Sequence, residues 1–468
     1  MAKRHTPMKE PFADPPDEGQ DSLVIDAMPT KELFIEMLTR DIALIPAIID
    51  LVDNSADGAK RVKGEGSLKG FLVRLTITSD QFKITDNCGG ITVETARKYA
   101  FRFGRASGAP SVKHSVGQFG VGMKRAIFKI GRQFRVESTT DTSRFVVDVD
   151  VNAWAEQPKK WTFEFAERDE DTTHSKDSVG TEILITALHP DVADVFGLES
   201  FEGELRNDMR TRLQDPISRG LVVTVNGVPV DAEPMTMLSD PRLAPAYRKL
   251  TYNGTGAKTV TAKLYCGLGR SESRSEERAE AGWNVFCNGR LILEADKSPV
   301  TGWKEEVDSV SIPGFHGQYN YLRGIAYFDS DDPARLPWNT TKTGLNTDSP
   351  IYRAVKLEMM RLMRPVVDFL NRLKEERQAK DDPGEKGPLE ELVESAKPEP
   401  VMSIDTRPVF EPPVPKPKSQ NKEPKMQPIH YEAPADQVYA VKKVLKVNSF
   451  RDVGLKTFKY FYDAEVNE

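Results

Sequence analysis

The sequence predicts an α+β protein that opens with an α/β sandwich. Three observations carry this: apolar residues at helical spacing after Pro46, short strand-like runs from Phe71 onward, and glycine-rich loops set between them. Thr30 can cap a first helix over roughly 31–40. A second helix begins after Pro46, a residue suited to a first helical turn, with Ile48, Ile49 and Val52 on its apolar side. Segments 71–78 and 82–85 read as strands around a Ser79 and Asp80 turn. A helix near 93–101 leads into a Gly/Ser-rich stretch at 104–117, and further strand-like runs fall at 134–138, 145–151, 162–165 and 182–186. A second region begins near 200. It holds a strand at 221–225 with an Asn226-Gly227 hairpin turn, strands near 259–266, 283–287 and 321–328, and the loop LPWNTTKTGLN at 336–346. Residues 350–378 read as one amphipathic helix, 380–435 as a disordered Pro/Lys/Glu-rich linker, and 436–468 as a small helical element that regains aromatic residues.

Composition narrows the function classes. Of 468 residues, 38% are hydrophobic and 29% charged, and the 32 prolines point to some disordered sequence, residues 1–20 among it. No apolar run approaches the ~18 residues that would span a membrane, and the N-terminal stretch lacks the apolar core of a signal peptide. Cys88, Cys266 and Cys287 have neither disulfide nor zinc spacing, which fits a reducing cytoplasm. A net charge of −6 makes the whole molecule no magnet for nucleic acid. In the second region Arg270, Arg274, Arg278, Arg290 and Lys297 alternate with acids, so no phosphate-binding stripe stands out.

Three motifs carry chemistry. In IPAIIDLVDNSADGA, Asp50, Asn54 and Asp57 share one helical face; an acid beside an amide can activate water and hold a metal-bound phosphate, although a solvated polar face has the same pattern. DNCGGI follows a strand: Asp86 can accept a hydrogen bond from the exocyclic amine of a base, while the glycines, Gly90 among them, let the ring approach the backbone, and Ile91 is taken with them as a binding residue. An ordinary turn would read the same way. VGQFGVGMKRAIFKIG sets glycines before a helix, whose exposed amides suit phosphate.

Their order and spacing resemble the N-box, G1 box and G2 box of the GHKL superfamily (gyrase, heat-shock chaperone, histidine kinase, MutL). GQFGVG is similar to the chaperone branch, and Gly120, Gly122 and Lys124 fit the GxGxK pattern of MORC proteins. GTEILI resembles a later strand of the family and would set Thr181 on the phosphate side. WNVFCNGRLIL and LPWNTTKTG resemble segments of a transducer domain, the second being the loop that sends a lysine, here Lys342, into the ATP site. The resemblance implies a Bergerat-type α/β sandwich over 21–195 and a ribosomal-S5-like transducer over 196–349, followed by the helix at 350–379.

It also implies roles. Asp86 would bind adenine, Asn54 would hold Mg2+, and Asp57 would belong to the same site. Gly117, Gln118, Phe119, Gly120, Val121, Gly122, Met123 and Lys124 would wrap the phosphates of ATP. Asp50 would be the general base and Lys342 the cation on the γ-phosphate, with 101–117 as a lid. Two departures stand out: the base is usually glutamate, one methylene longer than Asp50, which predicts slow turnover; and Cys88 replaces the first glycine of the G1 box, leaving Gly89 to supply the freedom. The expected protein is a cytoplasmic ATPase that forms an ATP-dependent homodimeric clamp on DNA, with a partner enzyme reached through the C-terminal tail. A chaperone acting on protein clients and a nucleotide sensor with little turnover are the alternatives.

Overall fold

The computed structural model describes residues 29–40, 42–64, 66–104, 115–117, 120–254, 258–270, 274–379, 386–411 and 429–466. The chain divides into two compact units, Met1–Pro413 and Val414–Glu468. The N-terminal stretch read as disordered, 1–20, lies outside the described residues.

Helix α1 is Lys31–Arg40 and α2 is Leu44–Lys63. The second starts earlier than expected, so Pro46 sits inside the first turn, where an amide would have no intrahelical acceptor. Its apolar side, including Ala47, Ile48, Leu51, Val52 and Ala59, is fully buried. The Lys31 ammonium fastens α1 to the body of the domain by donating to the carbonyls of Trp154, Gln157 and Lys160 at 2.6, 2.7 and 2.7 Å. Thr92 caps a short helix α3, Val93–Thr95, which widens into a π-turn over Ala96–Ala100. Helix α4 is Gly122–Ile130.

The first sheet is built from β1 (Leu72–Ile77), β2 (Phe82–Asp86), β3 (Gly131–Thr139), β4 (Ser143–Asp150), β5 (Phe165–Glu170), β6 (Gly180–Leu188), β7 (Val222–Val225) and β8 (Val228–Pro229). Their order is β5-β4-β3-β6-β2-β1-β7-β8, antiparallel throughout except where β7 runs parallel to β1. Alternation decides which face is inward: Val73, Leu75 and Ile77 on β1, and Phe82 and Ile84 on β2, enter the core. Two expectations change. The strand read at 162–165 begins at Phe165 and runs outward along charged residues, an edge whose pattern carries little apolar signal. The strand expected to open the second region joins the first sheet instead, because Val223 and Val225 fill the same core as β1. A helix not anticipated, Glu199–Arg212, buries Phe201, Leu205 and Met209 there at a spacing of four.

The second sheet follows β9 (Thr236–Ser239) and comprises β10 (Ala246–Asn253), β11 (Thr259–Leu268), β12 (Gly282–Cys287), β13 (Arg290–Asp296) and, after a small hairpin of β14 (Glu305–Val307) and β15 (Val310–Ile312), β16 (Leu322–Ser330). The order is β10-β11-β16-β12-β13, with β12 parallel to β16. The helix Pro350–Gln378 lays Tyr352, Val355, Met359, Met363, Val366 and Phe369 into the same buried cluster as Trp283, Leu322 and Phe328. Part of the stretch read as linker is folded. The helix Pro388–Ser395 buries Leu389, Leu392 and Val393, and β17 (Lys397–Pro400) pairs with β9. Proline-rich composition hid these few apolar anchors; residues 380–385 and 412–428 lie outside the described residues.

The second unit contains helices Ala435–Leu445 and Phe450–Glu465, the latter capped by Ser449, with Tyr439 and Phe450 in edge contact at 5.6 Å. Among the described residues no helix is long and apolar enough to cross a membrane.

The centre of the second sheet gives a test of packing. Trp283 lies directly across from Gly324, and a Cβ at Gly324 would meet the indole at 2.3 Å. Gly324→Ala should therefore destabilise the protein by about 1–3 kcal/mol, the usual penalty of overpacking a filled core. Thermal or urea unfolding checks this, and an unchanged midpoint would contradict the register.

Candidate functional site

Helix α2 turns its polar face toward a cavity of about 480 Å3, closed by β2, β6, the turn after β2, the N-terminus of α4 and the loop carrying Lys342. Asp50, Asn54 and Asp57 from α2, and Asp86, Gly90 and Ile91 from the second motif, all line it. So do Gly117, Gly120, Val121, Gly122, Met123 and Lys124 from the third, together with Thr181 and Lys342. Gln118 and Phe119 lie outside the described residues, as do 105–114 of the expected lid.

One end of the cavity is organised by Asp86. Ser55 Oγ donates to its Oδ2 at 2.7 Å and the Cys88 amide to its Oδ1 at 2.8 Å. Burial pushes the carboxyl above its ordinary value, partly offset by these donors and the Thr181 amide. Thr181 pairs in register with Asp86 and shares a 2.8 Å hydroxyl contact with Ser138. The β2–β6 register thus places Thr181 at the Asp86 end of the cavity. Gly89 and Gly90 adopt φ of 91° and 65°, so the turn keeps its left-handed residues without a glycine at 88. A Cβ at Gly90 would meet the Thr139 carbonyl at 2.1 Å. Arg61 holds the turn from α2 by donating to the Gly90 carbonyl at 2.7 Å. The Cys88 thiol is buried, and burial pushes it far up, so it packs as an apolar group.

The opposite end holds the charges. Asp50 is 1% exposed; its Oδ1 accepts from Lys342 Nζ at 3.0 Å and its Oδ2 from Arg125 at 3.1 Å. Burial alone would raise this carboxyl, but Lys342, Arg290 and Arg125 together outweigh burial and hold it below the usual carboxylate range. Lys342 sits in left-handed backbone at φ 53° and also lies 3.7 Å from Asp53. Arg125 reaches across to the Thr340 carbonyl at 3.2 Å, so one guanidinium ties α4 to both Asp50 and the lysine loop. Neither Arg125 nor Asp53 was singled out from the sequence, although Arg125 directly follows the motif lysine.

Asp57 has a different task from its neighbours. Its carboxylate accepts the amides of Val116 and Gly117, each at 2.9 Å, and burial raises its carboxyl. It thus anchors the descending end of the glycine segment to α2. Val116 packs in the second core, and the Ser115 carbonyl accepts from Asn288 of the β12–β13 turn at 3.0 Å.

What this geometry offers a ligand is plain. The N-terminus of α4 opens on the cavity beside Asp50: a Cβ at Gly122 would lie 3.3 Å from its carboxylate. Free amides and the positive helix end favour an anion there. Asn54 is exposed on the cavity wall with no hydrogen bond to a described residue, an uncommitted oxygen ligand suited to Mg2+ shared with phosphates. No cluster of three or more His, Cys, Asp or Glu that would hold a metal by itself occurs among the described residues.

With that geometry in place, residues 42–181 match the family model described as histidine kinase-, DNA gyrase B-, and HSP90-like ATPase. The match supports a GHKL-type, ATP-binding ATPase domain over this segment. No curated protein matches the chain.

Lys124 supplies a pH test. Buried at the cavity wall, its ammonium donates to the carbonyls of Ala100 and Gly120, with no acid among its described hydrogen-bond partners, and burial pulls its pKa down to about 7. Below that pH it is charged and favours phosphate; above it the free protein must capture a proton to bind equally well. ATP affinity should fall about tenfold more between pH 6 and 8 in the wild type than in Lys124→Met. Identical pH dependence in titrations of the two proteins would rule out Lys124 as a phosphate ligand.

Proposed function

We propose that the protein is a Mg2+-dependent ATPase that works as an ATP-gated homodimeric clamp on DNA, in the manner of MORC-like and MutL-like proteins, with the second sheet as its transducer. The observation that carries this reading is Lys342: a residue from the loop that follows β16 reaches the buried end of the cavity and meets Asp50. Asp86 binds the adenine amine, the α4 N-terminus receives the phosphates, and Asn54 would hold Mg2+, which would neutralise phosphate charge. Asp50 is the base that takes a proton from the attacking water. Held low by its cations, it is a weak base in the empty protein. When Lys342 turns to the γ-phosphate, Asp50 loses its nearest cation and its basicity rises. Triphosphate thereby switches on its own hydrolysis and draws the second sheet toward the pocket. ADP offers Lys342 no such partner.

A nucleotide sensor with little turnover is the second reading, favoured by the three cations that restrain Asp50. One set of measurements separates the two: hydrolysis with and without duplex DNA, and sedimentation with ATP analogue, ADP or no nucleotide. The clamp predicts a doubled mass with the analogue alone and faster hydrolysis with DNA. Asp86→Ala should weaken nucleotide binding by roughly ten- to a hundredfold, the cost of an unpaired polar group in a desolvated site. Asp50→Asn should still bind ATP but turn it over ~10²-fold or more slowly. A mass that never changes removes the clamp, absent turnover leaves the sensor, and unaltered affinity in Asp86→Ala removes the pocket assignment.

A further inference from the structure

Beneath the lysine contact lies a second cation that the cavity does not expose. Arg290 opens β13, directly after the Asn288-Gly289 turn, and is 1% exposed. None of its three guanidinium nitrogens makes a hydrogen bond among the described residues. The acid within ion-pair distance among the described residues is Asp53 of α2, at 3.7 Å, and Asp53 Oδ2 also lacks a hydrogen bond. A buried guanidinium and carboxylate facing each other this way forgo the short charge-assisted bonds that normally offset desolvation. The turn that carries Arg290 is nevertheless firmly placed. Asn288 donates to the Ser115 and Ser330 carbonyls at 3.0 Å each and accepts the Ser330 amide at 2.9 Å.

The unmade bonds have a consequence for Lys342. Its ammonium stands 3.0 Å from Asp50 and 3.7 Å from Asp53, one charge shared between two carboxylates. If Lys342 departs toward a phosphate, Asp53 is left buried without it, and Arg290 is the cation already facing that carboxylate with N–H groups to spare.

We propose that Arg290 is a positioning residue that frees Lys342 for the terminal phosphate by taking over Asp53. The inference rests on the nucleotide reading of the cavity. Arg290 does not line the cavity, so it affects turnover and leaves the binding of a nucleotide without a γ-phosphate untouched. Without its charge, Asp53 holds Lys342 back from the phosphate.

The test compares kcat for ATP with the affinity for ADP in wild type, Arg290→Met, Arg290→Lys and Asp53→Asn, with Asp86→Ala as a control for the pocket. Methionine fills much of the volume, and replacing buried charge by apolar bulk is often tolerated. Arg290→Met should lower kcat by about ten- to a hundredfold, the scale on which a misplaced group slows an enzyme, with ADP affinity within about twofold of wild type. Asp53→Asn is nearly isosteric and removes the charge that holds Lys342 back, so alone it should keep kcat near wild type, and added to Arg290→Met it should recover the loss; the single variant keeps the test open should Arg290→Met not fold. Arg290→Lys should recover part of the loss. A kcat near wild type in Arg290→Met, a kcat lowered about tenfold or more in Asp53→Asn, no recovery in Arg290→Lys or in the double variant, or ADP affinity that falls in step with kcat would overturn the proposal. Undiminished ADP binding in Asp86→Ala would overturn the nucleotide reading itself, and this inference with it.

Discussion

The contact between Lys342 and Asp50 is the constraint around which the first unit is arranged. The two residues are 292 positions apart, and the sheets between them have separate hydrophobic cores. Buried with them are Asp53, Arg125 and Arg290, their side chains at most 7% exposed. Five buried charges are a poor means of stabilising a fold. Removing each from water costs several kcal/mol, and apolar residues of the same volume commonly serve stability as well or better. Their arrangement is instead suited to rearrangement, because the cluster holds more cation than anion and receives a further anion with little change elsewhere.

The flanking contacts have the same logic. Asp57 takes the amides at 116 and 117, Asn288 takes the carbonyl at 115, and Val116 enters the second core. Residues 115–117 therefore rest on a seam made by both sheets. A nucleotide seated at the α4 N-terminus would meet groups answering to each sheet within a few ångströms. Free energy of phosphate binding then has a direct mechanical path to the second sheet, without any need for a distant relay.

Much of the pocket was legible because its chemistry is local. Asp50, Asn54 and Asp57 fall on one face of α2 by helical periodicity alone, and the glycines at 89, 90 and 120 mark backbone that must turn left-handed. What periodicity does not encode is register across the sheet and charge across the seam. That Thr181 stands beside Asp86 is decided by the β2–β6 pairing, which the strand's own sequence does not carry. Nothing in the sequence sets Arg125 or Asp53 apart, and Arg290 reads there as one of several basic residues alternating with acids; only the tertiary contact removes the three from water. β7 looked like the start of a new region because a strand of four residues carries no signal of the sheet it will join. The folded stretch at 386–411 was hidden for the reverse reason, since three apolar residues on one short helix suffice to dock it.

In the proposed mechanism Lys342 has two partners, Asp50 and the terminal phosphate, and nucleotide selects between them. A crystal structure of the protein with Mg2+ and a non-hydrolysable ATP analogue tests this most directly. The expected result is adenine at Asp86, Lys342 Nζ in hydrogen-bond contact with the terminal phosphate and withdrawn from Asp50, and Arg290 still facing Asp53. A nucleotide bound outside this cavity, or one bound within it while Lys342 remains on Asp50, would contradict it.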